Sequence, residues 1–156
     1  FLRKPRFTCL MKYLWNIVMS NVVTGGCLCG RYQYEFDREQ ALSAHHCHCR
    51  DCRMMTGSGK ATIITVPTGA LQTQGELKTY TVTGTDGSHV TRGFCHNCGS
   101  GVFSFLEEMP DIRFVKAGTL EDSSWLTIDS SFWSSTAEPW APVDPNCVAF
   151  EKNPVM

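Results

Sequence analysis

The chain has 156 residues, of which 42% are hydrophobic and 19% charged, and its formal net charge is −1. These values exclude a disordered chain, a collagen-like repeat and a strongly basic nucleic-acid-binding protein, and the length predicts one domain with its own hydrophobic core. No run of about eighteen uninterrupted apolar residues occurs in the sequence, so we expect no membrane-spanning helix.

Residues 1–21 are predicted to be an extension ahead of the main domain. The sequence begins with Phe1, and Met19 resembles a more natural start. Basic residues precede an apolar stretch as in a signal peptide, but Lys12 and Asn16 interrupt it and no small-residue cleavage site follows. We therefore expect a cytoplasmic protein. Apolar residues at helical spacing predict an amphipathic helix that docks on the domain or on a second subunit: Phe7, Leu10, Met11, Leu14, Trp15 and Val18.

Residues 22–153 are predicted to form a mainly β domain. Aromatic and polar residues alternate over residues 31–36, as on a half-buried strand. One short helix is expected from about Asp51 through Met55, ended by Gly57. The proline-rich tail over residues 138–145 is predicted to be extended coil. Five further runs rich in β-branched or aromatic residues predict strands: 61–66, 77–83, 89–94, 102–106 and 112–116.

Cysteines dominate the chemistry that the sequence predicts. An odd count of nine argues against a secreted disulfide framework and favours metal-bound thiolates in a reducing compartment. On a strand, residues two apart share one face, so each C-x-C pair is expected to offer two sulfurs to one ion. Seven cysteines fall in three motifs, spaced C-x-C, C-x-C-x2-C and C-x2-C: Cys27 and Cys29; Cys47, Cys49 and Cys52; Cys95 and Cys98.

Seven thiolates predict two Zn²⁺ ions, held by four and by three ligands. A closed four-thiolate site is structural, whereas a three-ligand site keeps a position for water or substrate. Two such ions would bring the formal charge to −4, which leaves no basic field for nucleic acid. Spacing leaves two partitions open. Cys95 and Cys98 pair either with Cys27 and Cys29 or, as in a zinc ribbon, with Cys49 and Cys52.

Several motifs together resemble one family. They are GGCLCG at residues 25–30, CHCRDCR at 47–53 followed by TGS at 56–58, FCHNCGS at 94–100, KAGTL at 116–120 and EPW at 138–140. The sequence they span, roughly residues 22–153, resembles the glutathione-dependent formaldehyde-activating enzyme family, also called the CENP-V/GFA family.

This resemblance implies an Mss4-like zinc-bound β fold and a small thiol, glutathione, as substrate. It implies the condensation of glutathione with formaldehyde to S-(hydroxymethyl)glutathione, formally a carbon–sulfur lyase acting in reverse. Family members linked to centromeres and microtubules support an alternative, a zinc-stabilised binding module without catalysis. The resemblance also implies a division of the ligands into a structural zinc site at Cys27, Cys29, Cys95 and Cys98 and a catalytic zinc site at Cys47, Cys49 and Cys52.

Basic residues near the three-cysteine motif are candidates for binding the glutathione carboxylates. Arg50, Arg53 and Lys60 could fill this role, with ordinary solvated surface charge as the alternative. A second group, Thr56-Gly57-Ser58, could give hydrogen bonds to a substrate, although a helix-ending turn explains it equally well.

Three histidines surround the same motif, and imidazole can serve as a zinc ligand or a general base. Strand alternation places His46 and His48 on the face opposite Cys47 and Cys49. His45 shares the cysteine face and is the best candidate among the three, although none is expected to be a ligand.

Overall fold

The computed structural model describes residues 21–84 and 86–154, so the predicted N-terminal helix lies outside the described residues. Within them the fold is mainly β with one short α-helix, α1 (Arg50–Thr56), as predicted. Four 3₁₀ turns lie at Arg38–Gln40, Thr68–Ala70, Ala117–Thr119 and Ser134–Thr136. The strands are β1 (Val22–Gly26), β2 (Gln33–Asp37), β3 (Ser43–Cys47), β4 (Ala61–Pro67), β5 (Gln72–Gln74), β6 (Lys78–Thr83), β7 (His89–Phe94), β8 (Gly101–Leu106), β9 (Met109–Lys116), β10 (Ser130–Phe132) and β11 (Val148–Ala149).

These strands form two sheets. The smaller sheet has the order β1-β2-β5, and the larger has the order β11-β10-β3-β4-β9-β8-β7-β6. Neighbours are antiparallel except that β10 pairs in parallel with both β3 and β11. The larger sheet therefore places β3, which carries the first cysteine of the three-cysteine motif, between β10 and β4.

Hydrophobic residues on the two faces of the larger sheet belong to two clusters. Ile64 is fully buried in the main core with Val66, Val102 and Val115. Its neighbour Ile63 points to the opposite face, as alternation along a strand requires, and joins a smaller cluster. That smaller cluster contains two cysteines of the three-cysteine motif together with an alanine and a tryptophan: Cys47, Cys49, Ala61 and Trp133.

Local sequence explains both ends of α1. Cys49 is the N-cap, and its sulfur accepts a hydrogen bond from the backbone N–H of Cys52 at 3.4 Å. Gly57 ends the helix in the left-handed conformation (φ 64°), which glycine adopts without a Cβ clash. None of the helices in residues 21–84 and 86–154 has the length and apolar character needed to cross a membrane.

Candidate metal centres

Four sulfurs meet where the turn after β1 approaches the turn between β7 and β8. The Sγ atom of Cys29 lies 3.6 Å from that of Cys27 and 3.7 Å from that of Cys95, and all four Sγ atoms lie within 4.8 Å of one another once Cys98 is included. The prediction that Cys27 and Cys29 lie on a strand is wrong. They follow the end of β1 in a tight turn, closed by a hydrogen bond from Gly30 N–H to the Cys27 carbonyl oxygen.

These distances fit a tetrahedral zinc site. With Zn–S bonds of about 2.3 Å, two sulfurs of a tetrahedron lie about 3.8 Å apart, whereas a disulfide needs about 2.05 Å. Hydrogen bonds stabilise two of the four sulfurs, those of Cys27 and Cys98, as thiolates: Tyr32 N–H donates to Cys27 Sγ at 3.3 Å. Hydrogen bonds from the Ser100 hydroxyl and backbone N–H lower the pKa of Cys98 to about 5. The four residues could therefore hold a metal ion as a closed set.

The second sulfur group consists of Cys47 at the end of β3, Cys49 at the N-cap of α1 and Cys52 in its first turn. Their Sγ atoms also lie within 4.8 Å of one another. Strand alternation explains Cys47 alone, because Cys49 already belongs to the helix cap. Cys47 and Cys49 are buried and Cys52 is half-buried. The structure thus groups the sulfurs as four and three and does not pair Cys49 and Cys52 with Cys95 and Cys98.

Three thiolates this close together repel one another, so a bound cation would stabilise them. The pKa of Cys49 is lowered, chiefly by its interaction with the neighbouring side chains of Cys47 and Cys52. The pKa of Cys47 is raised by its interaction with Cys49 and Cys52, with burial adding to the shift. Because the three sulfurs lie so close together, a negative charge on one of them opposes a negative charge on the others. A soft divalent ion such as Zn²⁺ would allow all three to bind as thiolates.

Among the described residues, no fourth histidine, cysteine or carboxylate joins the three-sulfur group. The His45 ring stacks on Phe132 with 4.2 Å between centroids, and its burial lowers its pKa to about 4. His46 Nδ1 lies 3.1 Å from the hydroxyl of Thr62. His48 is fully buried. A metal ion bound by this group would therefore have three protein ligands of these types among the described residues.

Two buried cations near this group were not expected from the sequence. Lys116 is 8% exposed at the end of β9, opposite Ile63 on β4, and therefore on the face that carries Cys47. Burial lowers the pKa of its ammonium, while the thiolates of Cys52, Cys47 and Cys49 attract its positive charge. Arg92 is equally buried and lies 3.9 Å from the carboxylate of Asp51.

Lys116 would compensate the charge of this group with a metal ion bound. Three thiolates and one Zn²⁺ ion would carry a net charge of −1, which one ammonium group would neutralise at low dielectric. Lys116 stands in the KAGTL motif and at the end of a predicted strand, and both signals could have found it. The burial of Lys116 depends on tertiary packing and could not have been predicted from the sequence.

The predicted substrate residues fall in different environments. Arg53 is ion-paired with Glu138, which fastens the tail to α1. Arg50 is exposed, whereas Lys60 is half-buried and lines an open cleft beside the three-sulfur group.

The helix-ending turn has its own hydrogen bonds. The Thr56 hydroxyl donates to the Cys52 carbonyl oxygen at 2.8 Å and accepts from Ser58 N–H at 3.3 Å, around the left-handed Gly57. Of these three residues, Thr56 lines the cleft. Their roles in binding substrate stay predictions.

Comparison with known proteins identifies the family. The sequence profile of the glutathione-dependent formaldehyde-activating enzyme (GFA) family matches residues 22–136. No curated protein sequence matches the chain at a significant level. A crystal structure of a Rhodobacter sphaeroides protein, solved as a structural-genomics target, is similar with a TM-score of 0.51 and 25% sequence identity, over 65% of this chain and 91% of that one. Since the family profile matches more than half of the chain, the protein belongs to the GFA family.

Proposed function

We propose that the protein is a zinc-dependent enzyme of the carbon–sulfur lyase type that joins glutathione to formaldehyde, or acts on a closely related thiol adduct. The observation that carries this proposal is the three-sulfur group of Cys47, Cys49 and Cys52, which no fourth protein donor completes in the described part of the chain. A purely structural site has no need of an open position. Membership of the GFA family supports the choice of thiol and aldehyde.

A zinc ion bound by these cysteines would offer its open position to the glutathione sulfur and hold it as a thiolate beside the aldehyde. In the reaction the glutathione thiol loses its proton, its sulfur bonds to the formaldehyde carbon as the C=O π bond breaks, and the former carbonyl oxygen takes up one proton, so that the overall addition is balanced. The end of β3 and the first turn of α1 fix the three cysteine sulfurs. The apolar cluster of Ala61, Ile63 and Trp133 packs against them and excludes water. This rigid support favours catalysis by positioning.

The same proposal assigns a second, structural zinc to Cys27, Cys29, Cys95 and Cys98 and a zinc domain to residues 22–153. A cytoplasmic location belongs to it as well. The metal-binding spacing of seven cysteines supports a reducing compartment.

The test is the rate of adduct formation from ¹³C-formaldehyde and glutathione, followed by NMR. Zinc-loaded protein should exceed the spontaneous rate. Cys49→Ser should remove the acceleration while the fold remains, and Cys147→Ser, which changes a half-buried cysteine outside both groups, should keep it. Glutathione binding without acceleration would contradict the enzyme and favour the binding module.

A further inference from the structure

An open cleft of about 480 Å³ lies beside the three-sulfur group, between the end of α1, the start of β4 and the turn that follows Cys98. Two contacts tie its walls to the three sulfurs. Ala61 in the cleft wall pairs with Cys47 across β3 and β4, and Thr56 donates its hydroxyl hydrogen bond to the Cys52 carbonyl oxygen. Its volume falls in the range of small-ligand sites.

The charges of the cleft have one sign. Lys60 and Lys116 line it, and within the described part of the chain no carboxylate does. Neither ammonium group has a hydrogen-bond or ion-pair partner among the described residues, whereas the nearby Arg53 is paired with Glu138. Asp144 attracts Lys60 only from beyond ion-pair distance and lies outside the cleft.

Most hydroxyl groups in the cleft walls already have partners within the protein. Thr62 is bonded to His46, Thr119 to the Lys116 carbonyl oxygen and to Tyr34, and Ser100 to Leu28 N–H and the Cys98 sulfur. The two lysine ammonium groups are therefore the principal donors that have no direct partner, and they suit a ligand with carboxylate groups. Lys116 interacts with the three sulfurs only through their charge, so its N–H groups can still donate to a ligand.

We propose that Lys60 and Lys116 form a carboxylate subsite, which holds a small anionic thiol in the cleft while its sulfur reaches the open position at Cys47, Cys49 and Cys52. This inference rests on the proposed function and adds to it a selectivity for thiols that carry carboxylate groups. Glutathione carries two carboxylates and a thiol, so it engages the metal and the lysines together, whereas an uncharged thiol engages the metal alone. The contact between the lysines and the carboxylates adds affinity to the contact between the metal and the thiol, because the thiol and the carboxylates belong to one molecule.

Calorimetric titration of the zinc-loaded protein tests the subsite with glutathione and with uncharged 2-mercaptoethanol. Lys60→Gln should weaken glutathione roughly tenfold, because a charge-assisted contact is lost, and should leave 2-mercaptoethanol within about twofold. Lys60→Arg should restore most of the glutathione affinity. Lys78→Gln removes the same charge from an exposed strand outside the cleft and should change neither affinity.

Lys60 carries the test because it is half-buried, whereas replacing the buried Lys116 could unfold the chain. If Lys60→Gln leaves glutathione binding unchanged, or weakens both thiols equally, the carboxylate subsite is wrong while the proposed function stands. If the wild-type protein with both metals bound takes up neither thiol at millimolar concentration, the proposed function fails and the subsite fails with it.

Discussion

Cys95→Ser and Cys49→Ser should have different effects on stability, because the two sulfur groups close chain segments of different length. The four-sulfur group joins cysteines such as Cys29 and Cys95, which lie 66 positions apart. Treated as a cross-link, a loop of that size stabilises the fold by about 4 kcal/mol. The three-sulfur group spans only residues 47–52, for which the same relation gives about 2 kcal/mol.

Burial increases this difference. Cys95 is 1% exposed and packs in the main core, whereas Cys49 belongs to the smaller cluster. The free energy of unfolding of a native domain is about 5–15 kcal/mol, so losing the larger cross-link removes a large part of it. We expect Cys95→Ser to unfold the domain or lower its melting temperature by roughly 10–15 °C, and Cys49→Ser to lower it by about half as much.

Circular-dichroism melting curves, recorded alongside zinc analysis of each variant, measure this difference. Cys147→Ser serves as the matched control, since Cys147 is a half-buried thiol outside both groups whose Sγ donates to the Ile128 carbonyl oxygen at 3.3 Å. Its melting temperature should stay close to that of the wild type. Equal losses for Cys95→Ser and Cys49→Ser would refute the division into a structural and an open site.

Three further predictions concern metal release, backbone packing and alkaline pH. A chelator should remove zinc from the three-sulfur group before the four-sulfur group, and a single release phase of both equivalents would contradict this order. Gly25→Ala should destabilise the fold by roughly 1–3 kcal/mol in denaturant titrations, because its Cβ would overlap the Tyr34 ring, whereas Gly118→Ala meets open space and should be neutral. Burial raises the pKa of Tyr34 to about 12, above its unfolded value of about 10. The free energy of unfolding should therefore fall by up to about 3 kcal/mol as pH rises from 10 to 12. Tyr34→Phe should remove this part of the pH dependence, and an unchanged profile would show that Tyr34 does not cause it.

Much of the β structure could be predicted because its strands carry local signals. Strand β7 matches its prediction residue for residue, and β4, β6, β8 and β9 contain or nearly match the predicted runs. The helix prediction succeeded for the same reason, since Gly57 is a strong stop signal. Strands β5, β10 and β11 have only two or three residues, too few for any periodicity, and tertiary pairing alone defines them.

The candidate site was less accessible from sequence. The motifs identified all seven cysteines, but spacing could not choose between two groupings, because the choice depends on which turns the fold brings together. Alternation correctly placed His45 on the face of Cys47, yet it gave no sign that the ring would stack on Phe132. The burial of Lys116 and Arg92 depends on tertiary packing, which brings Asp51 of α1 within 3.9 Å of Arg92 and Cys52 of α1 near Lys116, and a single sequence does not reveal these contacts.

The central claim is that Cys47, Cys49 and Cys52 bind a zinc ion with one position open to a thiol. Zinc X-ray absorption on protein with both sites filled tests it most directly. Without glutathione, the average should lie between three and four sulfurs per zinc, because a four-sulfur and a three-sulfur group contribute equally. Adding glutathione should raise the average to four, and S-methylglutathione should not. A sulfur count that is already four without glutathione, or that stays below four at saturating glutathione, would contradict the account.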